Sequence, residues 1–539
     1  MNTCPRWEQF RSGLNCPRAV CVVAVVLFLA GIWLRQLAWS ETGELRFTKD
    51  IINGFYWGGE VVAEGRTLPE NAASPDSWVS FFRGYLALYD QVKEDYDDDN
   101  FHLDYPPLRL LVMSVWTKHE LSLHPGADVG VPEYVKPLLL FNVLCEVATA
   151  VGIFLLVRHW TGQGGGGTSA RWLRGMAPEE RGWICGLAAA SVAWIEPSLM
   201  LDAHAWPQWD VWCLPFFVFA ALSASTGRWL CCGCLLALGA MFKGQLLMVA
   251  PFFVMWPAVE KEWRRAMRVL AGFSATVAVI VSPWVVHGTA ARFGLTGAVA
   301  AFAVFLATRK WTDRRMWLCV FFAAATVIAC IVSHGSTAWA EIGFMYGTEQ
   351  YPYLIMGSCY NLPALLDYAG FSLKDPLWSH DFGTVELAVN LQWILRLFYI
   401  GALWLCARGT ARLARNRDAR MLIALATPWL LMFVLLGQMH ERYLMWGAIV
   451  SAAAFGTNAR LSLVHFLFST ASTMMIVHVM LIDKHIATTL PAIHFLDKAT
   501  PWVSSMVIIG VCSYLWECVR RHDGEAGDAG EKRSLDNTP

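Results

Sequence analysis

Charge is scarce in this chain. Asp, Glu, Lys and Arg supply 16% of its 539 residues, where soluble domains carry about 25%. A soluble fold of this length needs more charge to cover its surface, which argues against an ordinary soluble enzyme and for a chain whose solvent is hydrocarbon. Neither sign is in excess. The net charge is −1, so no nucleic-acid partner is expected. No internal repeat is visible, and the one low-complexity run is Gly164–Gly167. No Lys-Ser/Thr opens a helix after it, so it reads as a flexible linker and not as a phosphate-binding loop. Metal-ligand spacing is lacking too: Cys231, Cys232 and Cys234 have no histidine nearby and read as small apolar packers, like most of the 15 cysteines. Composition further excludes a disordered chain, a collagen and a small disulfide scaffold.

What is abundant is apolar sequence. The hydrophobic fraction is 56% and there are 27 Trp. Trp33, Trp39, Trp194, Trp284, Trp429 and Trp446 lie at ends of apolar runs, where interfacial anchors are expected. Ala19–Trp39 is the first run, with Arg6, Arg11 and Arg18 before it. It lacks a clear small-residue cleavage site and is expected to be an uncleaved anchor. The others are Pro137–Val157, Trp183–Met200, Val211–Ser225, Val269–His287, Leu295–Thr308, Met316–Ser333, Val385–Cys406, Met421–Leu436, Tyr443–Phe455, Leu461–Ile482 and Val503–Val519. The segment Trp229–Trp256 is apolar except for Lys243-Gly244-Gln245 at its middle. Arg228 precedes it and Lys261, Arg264, Arg265 and Arg268 follow, so the positive-inside rule requires the chain to turn back at Lys243.

The same rule puts Arg158 to Arg181, Arg228, Lys261 to Arg268, Arg309 to Arg315, Arg408 to Arg420, Arg460 and Arg520-Arg521 on the cytoplasmic side. The expected fold is an all-α polytopic membrane protein of about 11–14 transmembrane helices with both termini inside. Its parts are a cytoplasmic start (1–18), a first span (19–39), a long non-cytoplasmic loop (40–135), a membrane module (136–333), a second outer loop (334–384), a second module (385–519) and a disordered cytoplasmic tail (520–539). The first outer loop is acidic, with Asp97-Asp98-Asp99, and Pro106–Lys118 is expected to be an interfacial helix there.

Ionisable residues at membrane depth or at span mouths are functional candidates by default. Under this topology they converge outside: Asp50, Asp104, Asp202, His204, Asp210, Lys243, His334, His440, Glu441 and Arg442. His102-Leu103-Asp104-Tyr105-Pro106-Pro107-Leu108 sets two prolines at a helix start behind an aspartate, where simple capping is the plain alternative. Asp202-Ala203-His204-Ala205-Trp206-Pro207-Gln208-Trp209-Asp210 packs two acids, an imidazole and an amide into one turn. Lys243 and Gln245 sit at a membrane turn, where a lysine needs an anionic partner. Gln438-Met439-His440-Glu441-Arg442-Tyr443 makes either an internal salt bridge or, through the arginine fork, a phosphate site. Carboxylates serve as general bases and cations at helix mouths hold a phosphate leaving group, which suits transfer of a group from a membrane-embedded phosphate carrier.

In this order, the Leu103 to Leu108 motif, the Asp202 to Gln208 turn, Lys243-Gly244-Gln245 and His440-Glu441-Arg442 resemble the GT-C polytopic glycosyltransferases. The likeness is to the lumenal glucosyltransferases that use dolichyl-phosphate-glucose in N-glycan precursor assembly. His440 to Leu444 is also similar to the His-Glu-Arg-Tyr-Leu of bacterial relatives of the second mannosyltransferase of GPI synthesis. The resemblance spans Asp50 to Leu444 as spaced anchors. Those glucosyltransferases carry Gly-Asp-Tyr-Glu where this chain has Lys49-Asp50-Ile51-Ile52, and the loop to Asp104 is longer here.

The resemblance implies an inverting hexosyltransferase that takes glucose or mannose from a polyprenyl- or dolichyl-phosphate donor to a lipid-linked glycan, lipid or cell-envelope acceptor. Asp50 and Asp104 would be catalytic, Asp50 as base. Lys243, His440 and Arg442 would hold the donor phosphate. Tyr105, Asp202, His204, Gln208, Asp210, Gln245 and Glu441 would bind substrates. No metal or other cofactor is required. The bacterial cytoplasmic membrane is the expected location, with the endoplasmic reticulum as the alternative and the site facing away from the cytoplasm. A transporter or flippase, or a ligase of whole glycans on the same broad fold, are the other readings.

Overall fold

The computed structural model describes residues 17–41, 48–67, 77–94, 103–126, 132–162, 176–286, 292, 294–299, 313–345, 359–381, 386–456, 459–483 and 491–520. The Gly164–Gly167 linker, the Asp97–Asp99 run, His102, most of Leu295–Thr308 and the tail after Arg521 lie outside these residues.

The helices, in chain order, are α1 (Pro17–Glu41), α2 (Lys49–Thr67), α3 (Trp78–Glu94), α4 (Pro107–Leu123), α5 (Pro132–Thr161), α6 (Pro178–Trp194) and α7 (Pro197–Met200). They continue with α8 (Leu214–Ser225), α9 (Trp229–Phe242), α10 (Leu246–Val249), α11 (Pro251–Val259), α12 (Trp263–Val281) and α13 (Asp313–Val332). The last are α14 (Leu362–Tyr368), α15 (Leu391–Arg415), α16 (Met421–Leu435), α17 (Leu444–Ser451), α18 (Ala459–Asp483) and α19 (Pro491–Val519). Among the described residues, seven helices are long and apolar enough to cross a bilayer: α1, α5, α12, α13, α15, α18 and α19. Pro178–Trp194 and Pro197–Ala205 pass the same test only as a pair bent by 41°, the geometry of a broken span or a re-entrant loop, and four shorter apolar helices accompany them. The chain is therefore a helical, multi-pass membrane protein.

Two expectations need correction. β1 (Pro376–Asp381) pairs antiparallel with β2 (Glu386–Asn390), which takes the start of a run expected to be a span. The span expected from Val385 accordingly begins only at Leu391, where Asn390 caps Trp393 N at 3.0 Å. Most of the six tryptophans expected as interfacial anchors are buried within the protein. Trp194, Trp284, Trp429 and Trp446 are 3% exposed or less, and Trp33 alone of the six named is broadly exposed. For three of these the indole N–H finds a carbonyl: Trp194 donates to Phe28 O at 3.1 Å, Trp284 to Leu86 O at 3.1 Å and Trp446 to Asp210 O at 2.8 Å, whereas Trp429 Nε1 has no partner among the described residues.

The turn at Lys243 is present. A straight helix would hold Trp229 and Trp256 about 40 Å apart. Their ring centroids instead lie 5.0 Å apart. The break comes where Lys243 takes an extended conformation (φ −147°, ψ 111°) after α9. At the centre stands α16, buried from Met421 to Val434. Its sequence is apolar on every side, as a helix enclosed by other helices requires.

Outside this bundle α2 packs on both α3 and α4. Glycine allows the close approach to α3: a Cβ at Gly84 would lie 2.0 Å from Val61 O, and one at Gly65 would lie 2.3 Å from Ser80 O. Proline starts α4. Pro107 is its first residue behind Pro106, and no side chain caps the helix, so Asp104 has no capping role.

Candidate functional site

Asp50 enters the site from the first turn of α2. Thr48 fixes that turn twice. Its Oγ1 accepts from Ile51 N at 3.2 Å and donates to Pro207 O at 3.2 Å, tying the start of α2 to the Asp202–Asp210 turn. From α4, Arg109 Nη2 reaches Asp50 Oδ1 at 3.2 Å. Arg442, in the short helical turn before α17, places Nη2 3.5 Å from Asp50 Oδ2. Arg442 also meets Asp210 Oδ2 through Nε at 2.5 Å, and Lys243 Nζ lies 2.5 Å from Asp210 Oδ1. Glu441 completes the group, its Oε1 3.3 Å from Arg442 Nη1.

The aromatic side chains order the cations. The Arg109 guanidinium lies 4.0 Å over the Tyr105 ring, and Lys243 Nζ is 5.4 Å from the Tyr443 centroid. Tyr89 donates to Tyr105 O at 2.7 Å, and Tyr105 donates to Asp50 O at 3.4 Å. Gln245 Nε2 donates to Tyr443 Oη at 3.0 Å.

Exposure separates the acids. The Asp50 side chain is 24% accessible, while those of Asp210 and Glu441 are 1% and 5%. Asp210 is sealed under two cations and orients them; it is not placed to meet a substrate directly. Burial alone would push the Asp50 carboxyl up, but Arg442, then Arg109 and Lys243, hold it below the usual carboxylate range. Glu441 is likewise opposed by burial and is held down to about 2 by the nearby His440 and Arg442.

The expected residues divide into three groups. Asp50, Tyr105, Asp210, Lys243, Gln245, Glu441 and Arg442 come together as described. His440 stands at the rim, its side chain 34% exposed and Nδ1 3.8 Å from Glu441 Oε2. Asp104 is exposed beside Tyr105. Asp202 and Gln208 are buried next to the cluster, and Asp202 Oδ1 and Oδ2 have no hydrogen-bond partner among the described residues. The third group lies apart. His204 gives Nε2 to Glu146 Oε1 at 2.8 Å, and Glu146 Oε2 accepts from Arg35 Nε, so this imidazole belongs to a separate buried triad. His334 is exposed at the turn after α13, in a left-handed conformation (φ 51°).

Arg109 is the member that sequence reasoning missed. Its signal was an arginine five residues after Asp104, on the first turn of an otherwise apolar helix start. Glu146 and Arg35 were missed as well, although each is a lone charge within a long apolar run. Arranged this way, the site offers the accessible carboxylate of Asp50, with exposed Asp104 beside it, facing two guanidiniums and an ammonium held by inner acids. No protein-family model and no curated protein sequence matches this chain.

Proposed function

We propose that the chain is a GT-C type glycosyltransferase. In this reading it moves a hexose, glucose or mannose, from polyprenyl or dolichyl phosphate to a hydroxyl of a lipid-linked glycan, lipid or cell-envelope acceptor on the non-cytoplasmic side. One observation carries the reading: the Asp50 carboxylate, 24% accessible, is flanked by Arg109 at 3.2 Å and Arg442 at 3.5 Å. A base and two guanidinium forks able to bind phosphate thus share one site.

Asp50 takes the proton of the acceptor hydroxyl. The oxygen attacks the anomeric carbon from the face opposite the carrier, the bond from that carbon to the phosphate oxygen breaks, and its electron pair leaves with the phosphate. Configuration inverts. Arg442 and Lys243, preset by Asp210, face the charge that grows on the phosphate, and His440 stands at the rim. Contacts that strengthen as charge develops act on the transition state more than on the bound donor.

The test uses purified protein with a polyprenyl-phosphate-hexose and an extract of candidate acceptors. Asp50→Asn is expected to abolish turnover while melting stays close to that of the parent. Arg442→Ala is expected to lower the rate by about 10²–10³, with Arg442→Lys recovering part of it, since a point charge cannot copy the fork. An Asp50→Asn protein that keeps most of its rate ends the assignment of Asp50 as base. If Arg442→Ala melts earlier yet turns over normally, the network serves stability alone.

A further inference from the structure

Arg35, Glu146 and His204 form an ion-pair group at membrane depth, away from Asp50. Arg35 is 3% exposed and His204 2%. Arg35 donates through Nε to Glu146, through Nη1 to Gly31 O at 2.9 Å and through Nη2 to Trp194 O at 2.8 Å, the last at the break between α6 and α7. Its guanidinium lies 3.6 Å over the Trp194 ring. A guanidinium has five N–H bonds, so these contacts do not exhaust it.

The group borders a cavity of about 570 Å³ between α1, α5 and the His204 segment. Among the described residues, the ionisable side chains on its wall are Arg35, Lys136 and His204, all basic. Gln36 and Ser40 are the neutral polar lining residues. The acid of the triad, Glu146, has a side chain 0% exposed and lies behind the wall. His204 spends Nε2 on that acid, which leaves Nδ1 as the ring atom it can turn to the cavity.

The rest of the wall is hydrocarbon, from Ile32, Leu139, Leu140 and Val143. Leu140 and Leu144 continue along α5 at 61% and 57% exposure. Depth fits an amphiphile. Lys136 is two residues inside the apolar span Tyr134–Thr161, and Arg35 is six residues from the end of Ala19–Glu41. At 1.5 Å per residue these are about 3 Å and 9 Å, the level at which headgroups meet acyl chains.

We infer that this cavity binds the phosphate-bearing headgroup of an anionic membrane lipid, with Arg35, Lys136 and His204 around the phosphate and the acyl chain laid along Ile32, Leu140 and Leu144. The inference does not rest on the glycosyltransferase reading. The headgroup site shares only the Leu201–Ala205 π-helix with the Asp50 cluster, Asp202 lying next to that cluster and His204 lining the cavity.

The experiment is lipid titration of the full-length protein in neutral detergent, read as a shift in melting temperature and as bound fluorescent lipid. The probes are short-chain phosphatidic acid, phosphatidylcholine and inorganic phosphate. Phosphatidic acid should bind saturably and stabilise, ahead of phosphatidylcholine, with inorganic phosphate giving no comparable shift. Lys136→Glu, at an exposed helical position, should weaken phosphatidic acid by about tenfold. Lys136→Ala should weaken it less, and it keeps the test open if charge reversal disturbs folding. Arg442→Ala should leave lipid affinity unchanged. Equal affinity in parent and both Lys136 variants overturns the site. Loss in Arg442→Ala but not in the Lys136 variants moves the lipid to the Asp50 cluster, and an equal response to inorganic phosphate removes the lipid from the assignment.

Discussion

Asp50 and Asp210 share one guanidinium, yet they should answer differently to the same substitution. Asp210→Asn leaves Lys243 and Arg442 buried with one anion fewer, a loss of about 3–5 kcal/mol for a broken buried pair. Asp50 is partly solvated, so its pairing is screened and Asp50→Asn should cost about 1 kcal/mol or less. Melting both variants in one detergent tests this, and a reversed order would mean that Asp50, not Asp210, neutralises the cluster. The pH dependence has a definite sign. The folded carboxyl of Asp50 lies below its unfolded value of about 3.9, so its contribution is complete above that value and fades as pH falls toward the folded pKa. The acid limb of the turnover profile should therefore sit below the ordinary aspartate range. A limb near pH 6 assigns the base to another group. Lys243, Glu441 and Arg442 were legible in the sequence because each interrupts an apolar stretch. The choice of partner was not: His204 pairs with an acid 58 positions away, on a different helix, and only the packing of α5 against the bent pair brings them together.

Among the elements, α9 and α12 show how spans touch without a hydrophobic drive between them. A Cβ at Gly233 would lie 2.0 Å from Val269 O, and one at Gly272 would lie 2.2 Å from Leu230 O. Each glycine admits the other helix's backbone, as small residues do in membranes. Gly233→Val should lower stability by about 1–3 kcal/mol, whereas Gly401→Val on α15, where nothing lies within 4 Å of the added carbon, should melt like the parent. Identical melting of the two would mean the α9–α12 crossing can separate freely. Helix positions were largely readable from apolar run length, and the Lys243 turn from the arginines on either side. The fate of the tryptophans was not readable. An indole at the end of an apolar run suits either an interface or a core with a spare carbonyl, and the carbonyls of Phe28, Leu86 and Asp210 come from tertiary contacts.

For the molecule as a whole, the arginine pattern assigns sides, and the contact of Trp229 with Trp256 puts the basic residues at both ends of that hairpin near one another. In a background with Cys4, Cys16 and the exposed Cys21, Cys231 and Cys512 replaced by Ala, Ser122→Cys should react with an impermeant maleimide from the non-cytoplasmic side. Thr226→Cys and Lys261→Cys should react only after permeabilisation. The opposite pattern inverts the topology and, with it, the side on which the Asp50 cluster opens. The span of the cluster along the chain also bears on its making. Arg442 meets Asp50 across 392 positions. At about 5–20 residues per second, a ribosome needs about 20–80 seconds to go from one to the other. Over the second half of that interval Asp50, Arg109, Asp210 and Lys243 are already made and the central guanidinium is not. The growing protein must shelter those charges in water or against an insertion factor, and a message cut short before Arg442 yields a membrane protein whose charges cannot all be matched, a natural mark for quality-control proteolysis.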